Sequence, residues 1–163
     1  MKKLFLIRHA KSSWEDFGLD DFDRPLNNRG EKDAPFMGKL LKKKKPKPDL
    51  IISSPALRTK LTAQIMAKEI GYDEKIVFDK TIYEAPLSNL KRAINNIDNS
   101  FNSIVFVGHN PGLHELAQDL CDIDVDNIPT CAIVEIEFDV DSWDKVSRKN
   151  AKLISYEYPK KYK

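Results

Sequence analysis

The stretch Leu4-Phe5-Leu6-Ile7-Arg8-His9-Ala10, "LFLIRHA", decides the fold. Four apolar residues in a row suit a strand buried on both faces, which is the habit of a central strand in a parallel sheet. The run ends on a cation and an imidazole, and ligands in open α/β sheets bind beyond the carboxyl ends of the strands. The chain therefore reads as a strand that delivers two reactive side chains to a fixed place.

Working outward, apolar segments that read as strands recur at Lys3 to Ile7, Leu50 to Ser53, Ile76 to Phe78, Ile104 to Val107 and the alternating Ala132 to Phe138; a sixth, Lys152 to Tyr158, closes the sheet. Helical patterns separate the first four, which predicts an α/β fold with a mostly parallel sheet covered on both faces. Ser54-Pro55 reads as an N-cap and first-turn proline before Leu57, Leu61 and Ile65, with Gly71 as the stop. Asn110-Pro111 repeats the device before Leu113, Leu116, Ala117 and Leu120, and Ser88 reads as the cap of a helix carrying Leu90, Ile94 and Ile97. Between Asp33 and Lys44, Pro35 either kinks a helix or lies in its first turn after an Asp33 cap.

Bulk properties narrow the function. The 163 residues suit a single domain spanning 1–163, with neither a repeat nor a linker of boundary length. A formal charge of +2, from 27 basic and 25 acidic residues, gives no overall field that would select nucleic acid. The N-terminus lacks the apolar core and cleavage site of a signal peptide, and no apolar run nears the roughly 20 residues of a membrane span. The cytoplasm is the expected compartment, and a monomer the expected state. Cys121 and Cys131 have no metal or redox spacing and read as buried thiols. The runs "LKKKKPKPD" and "YPKKYK" read as solvated basic turns. "CDIDVD", with Asp122, Asp124 and Asp126, lacks the glycine and final glutamate of a calcium loop and reads as a solvated acidic loop. His114 reads as a surface or packing residue.

At the strand ends stand Arg8 and His9, then Arg58 in the first turn of the helix after "SSP", then His109 in "GHNPG" before another helix. Two guanidiniums, two imidazoles and two helix N-termini converging on one place describe a phosphoryl site.

These residues carry a resemblance. "LIRHA", "SSPALRTKLTA" and "VFVGHNPG" look like the histidine phosphatase (phosphoglycerate mutase-like) superfamily. "RHAKS", "DRPLNNRG", "YEA" and "GHNPG" most resemble its small SixA-type phosphohistidine phosphatases. The resemblance implies a three-layer α/β/α sandwich without a large cap. It implies His9 as the nucleophile that becomes phosphorylated, with Arg8, Arg58 and His109 around the phosphoryl group, and neither metal nor cofactor. Glu84 matches the position of a catalytic carboxylate and is open to either a proton-transfer or an orienting role. Ser12 is expected at the phosphate, with Lys11 and Asn110 at the rim. Ala10 replaces the commoner glycine. Glu15 falls where phosphoglycerate mutases carry a phosphate-contacting asparagine, and a carboxylate there argues against a mutase. The short interval between Glu84 and His109 predicts a shallow, open pocket. It suits phosphohistidine on a partner protein; small phosphoesters are the alternative, and a phospho-binding module without turnover a third reading.

Overall fold

The computed structural model describes residues 1–163. One six-stranded sheet organises the chain: β1 (Lys2–Arg8), β2 (Leu50–Ser53), β3 (Val77–Phe78), β4 (Ser103–Gly108), β5 (Ile133–Phe138) and β6 (Ala151–Glu157), in the order β3-β2-β4-β1-β5-β6. The pairs β3–β2, β2–β4 and β4–β1 are parallel, whereas β5 and β6 add antiparallel. β1 is central, and Leu4, Phe5, Leu6 and Ile7 are wholly buried, because both faces of the strand are covered.

The alternation of side chains along β1 divides the core. Leu4 and Leu6 pack with Ile104, Phe106, Leu113 and Leu116 beneath α3 (Leu87–Asn95) and α4 (Gly112–Leu120). Phe5 and Ile7 pack with Val105, Val107, Met37 and Met66 beneath α1 (Asn28–Lys43) and α2 (Leu57–Ile70). The result is the three-layer sandwich, with no additional domain between Glu84 and His109: only α3 and β4 lie in that interval.

Several local expectations shift. α1 begins at Asn28, not after Asp33, because the Asn27 side chain accepts the Gly30 N–H at 2.9 Å. Asp33 lies buried inside that helix, paired to Lys163 at 3.0 Å, and Pro35 is accommodated in the helix interior. α2 begins at Leu57, so Ser54-Pro55 precedes the helix instead of capping it. Ser88 is inside α3, whose N-terminal flank is Pro86. Asn110 keeps a capping role, accepting the His114 N–H at 3.2 Å, although α4 starts at Gly112. β3 is only Val77–Phe78 and both residues are exposed, since its outer edge has no partner strand. Cys121 and Cys131 are free, buried thiols. Asp122, Asp124 and Asp126 are exposed. No helix is long and apolar enough to cross a membrane.

Candidate active site

The backbone at the end of β1 is fixed from three sides before any side chain is considered. The His9 N–H donates to the Gly108 carbonyl at 3.1 Å, the Cys131 N–H donates to the carbonyls of Arg8 and His9 at 3.0 Å each, and the Ala10 N–H donates to Thr62 Oγ1 at 2.9 Å. The end of β4, the turn before β5 and helix α2 thus all hold the tripeptide Arg8-His9-Ala10. Ala10 is buried and keeps an ordinary negative φ, so its Cβ is accommodated without strain.

Two glycines lock the neighbouring motif segments. A Cβ on Gly30 would stand 2.1 Å from the Lys11 carbonyl oxygen, so α1 packs directly against the chain leaving His9. A Cβ on Gly112 would stand 2.5 Å from the Ala85 carbonyl oxygen, which brings the segment after Glu84 against the start of α4. The motif glycines are there for close approach of backbone to backbone.

Within this frame Arg8, His9, Arg58, His109, Ser12 and Glu84 line one cavity of about 260 Å³, so every residue expected at the site is brought together. Lys11 and Asn110 line it as well, while Glu15 is exposed and outside it. An adjoining recess of about 550 Å³ shares Glu84 and Asn110, which leaves the site open on that side.

His9 Nδ1 lies 2.7 Å from the Ala10 carbonyl oxygen. A carbonyl only accepts, so Nδ1 carries the proton and Nε2 bears the lone pair. His109 Nε2 lies 2.7 Å from Ser54 Oγ, and the two imidazole rings are 5.4 Å apart between centroids. Burial, followed by the field of nearby arginines, pushes His9 down to about 3. Burial, then His9 and Arg58, push His109 down to about 3 as well. Both imidazoles are therefore neutral at pH 7.

The arginines are partly committed. Arg8 Nη1 donates to the Ile128 carbonyl at 2.9 Å, and Arg58 donates from Nη1 to the Asp21 carbonyl at 2.7 Å and from Nη2 to the Asp21 carboxylate at 3.0 Å. Their Nε atoms are buried with no partner, as is His109 Nδ1. Native structures rarely leave such groups unpaired, and three around one cavity describe a socket for an acceptor-rich ligand.

Glu84 has a positive φ of 47°, a backbone region that costs a non-glycine residue about 1 kcal/mol or more. Its side chain is 58% exposed and reaches Arg58 at 3.8 Å. Burial and a hydrogen bond shared with Asp21 push its carboxyl above the usual carboxylate range. Asp21 moves the other way: desolvation opposes its ionisation, but hydrogen bonds from Tyr83 and Arg58 outweigh it.

Asp21, Arg24, Tyr83 and Ser54 were not legible as site residues. Arg24 lies among acidic neighbours in an irregular loop, where a guanidinium reads as a surface ion pair. It is instead buried, donating from Nη1 to Ser12 Oγ at 2.9 Å and from Nε to Asp21 at 3.0 Å, with its guanidinium 3.4 Å from the Trp14 ring centroid. The Tyr83 hydroxyl donates to Asp21 at 2.6 Å. The available signals were the place of Arg24 within "DRPLNNRG", of Tyr83 within "YEA" and of Ser54 within "SSPALRTKLTA"; Asp21 lies in none of these segments.

The comparisons with known proteins agree with this geometry. The model of the histidine phosphatase superfamily (branch 1) matches residues 4–91, more than half of the chain. An uncharacterized chloroplastic protein of Arabidopsis thaliana is 33% identical over 153 residues, which cover 88% of this chain and 70% of the relative. Among solved structures, SixA of Agrobacterium tumefaciens superposes with a TM-score of 0.78 at 26% identity, over 97% of this chain and 98% of that one. The protein histidine phosphatase SixA complexed with tungstate gives 0.83 at 19% identity, over 99% of both chains. The chain belongs to the histidine phosphatase superfamily.

Proposed function

We propose that this protein is a phosphatase that works through a phosphohistidine formed on His9, with phosphohistidine in a partner protein as its substrate. The observation that carries the reading is the set of three buried, unpartnered nitrogens, the Nε–H groups of Arg8 and Arg58 and Nδ1 of His109, around an imidazole whose tautomer leaves Nε2 free. Phosphoryl transfer asks a protein mainly for positioning and for charge stabilisation on the equatorial oxygens.

In the first step the His9 Nε2 lone pair forms a bond to phosphorus while the phosphorus–nitrogen bond of the substrate breaks, and the departing imidazole takes up a proton. The Nδ1–H bond to the Ala10 carbonyl fixes the ring and favours the positive charge that develops on it. In the second step water attacks phosphorus, its proton passes to a carboxylate, and orthophosphate leaves with His9 restored. In this reading Glu84, which lines the cavity and is exposed at its mouth, supplies and then recovers that proton.

The substrate class is supported by the open recess beside Glu84 and by the absence of a cap between Glu84 and His109, since a phosphoryl group on a protein surface needs an unroofed mouth. SixA in its tungstate complex offers a precedent for a tetrahedral oxyanion bound by a protein of this fold. A second reading, a small phosphoester as substrate, is favoured by the raised Glu84 carboxyl, because an alkoxide leaving group requires an acid that a departing imidazole does not. Brief reaction with a labelled phosphodonor, followed by mapping, tests the mechanism: label is expected on His9 Nε2 and His9→Ala is expected to lose turnover, whereas label elsewhere or a fully active variant overturns it. A strong preference for a small ester over a phosphohistidine protein would select the second reading.

A further inference from the structure

Beside the catalytic cavity, the loop between Ser13 and Asp23 exposes several large apolar side chains. Of the ten large apolar residues exposed on the whole chain, four lie in this one loop: Trp14, Phe17, Leu19 and Phe22. Trp14 is 66% and Phe17 94% exposed. Single exposed apolar residues need no explanation, but a cluster of aromatics at the rim of a site marks a contact surface.

The loop is braced where it meets the site. Ser12 bridges to Leu26, the Ser13 N–H donates to the Pro25 carbonyl at 2.8 Å, and Phe22 meets Tyr83 edge-on with centroids 5.2 Å apart. Trp14 lines the catalytic cavity itself and carries the buried Arg24 guanidinium on its ring. The loop thus meets the pocket through Trp14 and Phe22.

Its charge identifies the occupant. The segment Trp14 to Asp23 has no basic residue; its Asp21 is paired with Arg24 and Arg58, while Glu15, Asp16, Asp20 and Asp23 form no salt bridge, and Glu84 and Glu115 line the recess on the other side. A rim of carboxylates repels nucleic acid and anionic membranes alike and attracts a cationic partner. The buried floor is cationic and takes the phosphoryl group; the exposed loop beside it is acidic and apolar, with Lys11 the one basic residue exposed at the cavity.

We propose that the loop Trp14–Phe22 is the docking surface for the phosphohistidine-bearing partner protein, and that the face of the partner around its phosphohistidine is apolar with basic flanks. This rests on the phosphohistidine reading above.

The test uses fluorescent helical peptides with a central phosphotriazolylalanine, a hydrolysis-resistant phosphohistidine analogue, flanked either by leucine and lysine or by serine and glutamate. The leucine–lysine peptide is expected to bind roughly tenfold tighter, and that advantage is expected to vanish in the Phe17→Ala/Leu19→Ala variant. Neither residue lines the cavity, so the variant should hydrolyse free phosphohistidine at the parental rate. Equal affinity for the two peptides, or an advantage that survives the double substitution, overturns the docking surface while leaving the catalytic reading intact. Failure of the isolated analogue to bind, together with no hydrolysis of free phosphohistidine, overturns the catalytic reading and this inference with it. A concentration-dependent dimer abolished by the same substitutions would assign the patch to a second copy of the chain and also overturn the proposal.

Discussion

Neutral imidazoles buried beside arginines impose a pH dependence on stability that can be worked out from the structure. His9 is 7% and His109 5% exposed, and both are held at about 3 against an ordinary value of 6.5. Between those values the unfolded chain binds two protons that the folded chain refuses, so stability is full above pH 6.5 and falls as the pH drops. At pH 5 an unfolded histidine is almost wholly protonated and a native one is not, which amounts to about 2 kcal/mol per site, or about 4 kcal/mol for the pair. The figure at pH 5 is insensitive to the native value, because anything near 3 lies well below 5. Glu84, raised above its ordinary value, works in the opposite direction, but its exposure screens it. Urea unfolding of the parent and of His9→Gln/His109→Gln at pH 8 and pH 5 isolates the contribution, since His114 and every carboxylate are common to both. The parent is expected to lose about 4 kcal/mol more than the double variant over that interval, and each single variant about half as much. Equal losses in parent and double variant, or imidazole resonances of His9 and His109 that titrate near 6.5, would refute the reasoning.

Two further outcomes follow from the site geometry. Glu84→Gln is expected to slow hydrolysis of an alkyl phosphate by about 100-fold or more, the usual worth of a general acid, and that of phosphohistidine far less; equal losses on both, measured as kcat, would make Glu84 an orienting group. Gly30→Ala drives a Cβ into the Lys11 carbonyl and is expected to cost about 3 kcal/mol and roughly 10 °C in Tm, whereas Gly18→Ala, which meets only the Asp16 side chain, should leave Tm nearly unchanged in a thermal melt.

The chemistry of the floor was legible because it is carried by residues at strand ends and helix starts. A buried run such as Leu4–Ile7 announces its own strand, and whatever follows it must stand at the sheet's carboxyl edge. Arg8, His9, Arg58 and His109 could therefore be placed together before any coordinates were known. The caps were read less well. Ser54 has the side chain of an N-cap and the sequence position of one, yet its hydroxyl contacts His109, a partner 55 residues away that no local pattern reveals.

Lys11 and Asn110 were legible at the rim, but the loop that carries Asp21 and Arg24 was not. Arg24 and Asp21 sit in a loop without periodicity, and whether such charges are solvated or buried depends on what Tyr83, Arg58 and Trp14 do across the site. What the sequence determined by itself was where the strands lie along the chain and the four groups they deliver, since hydrophobic periodicity is a local property of the chain. What only the tertiary structure decided was their state: that His9 offers Nε2, that both imidazoles are neutral, and that three buried nitrogens, Nε of Arg8 and Arg58 and Nδ1 of His109, have no partner. Protonation and pairing depend on burial and on charges distant in sequence, and those exist only once the chain has closed around them.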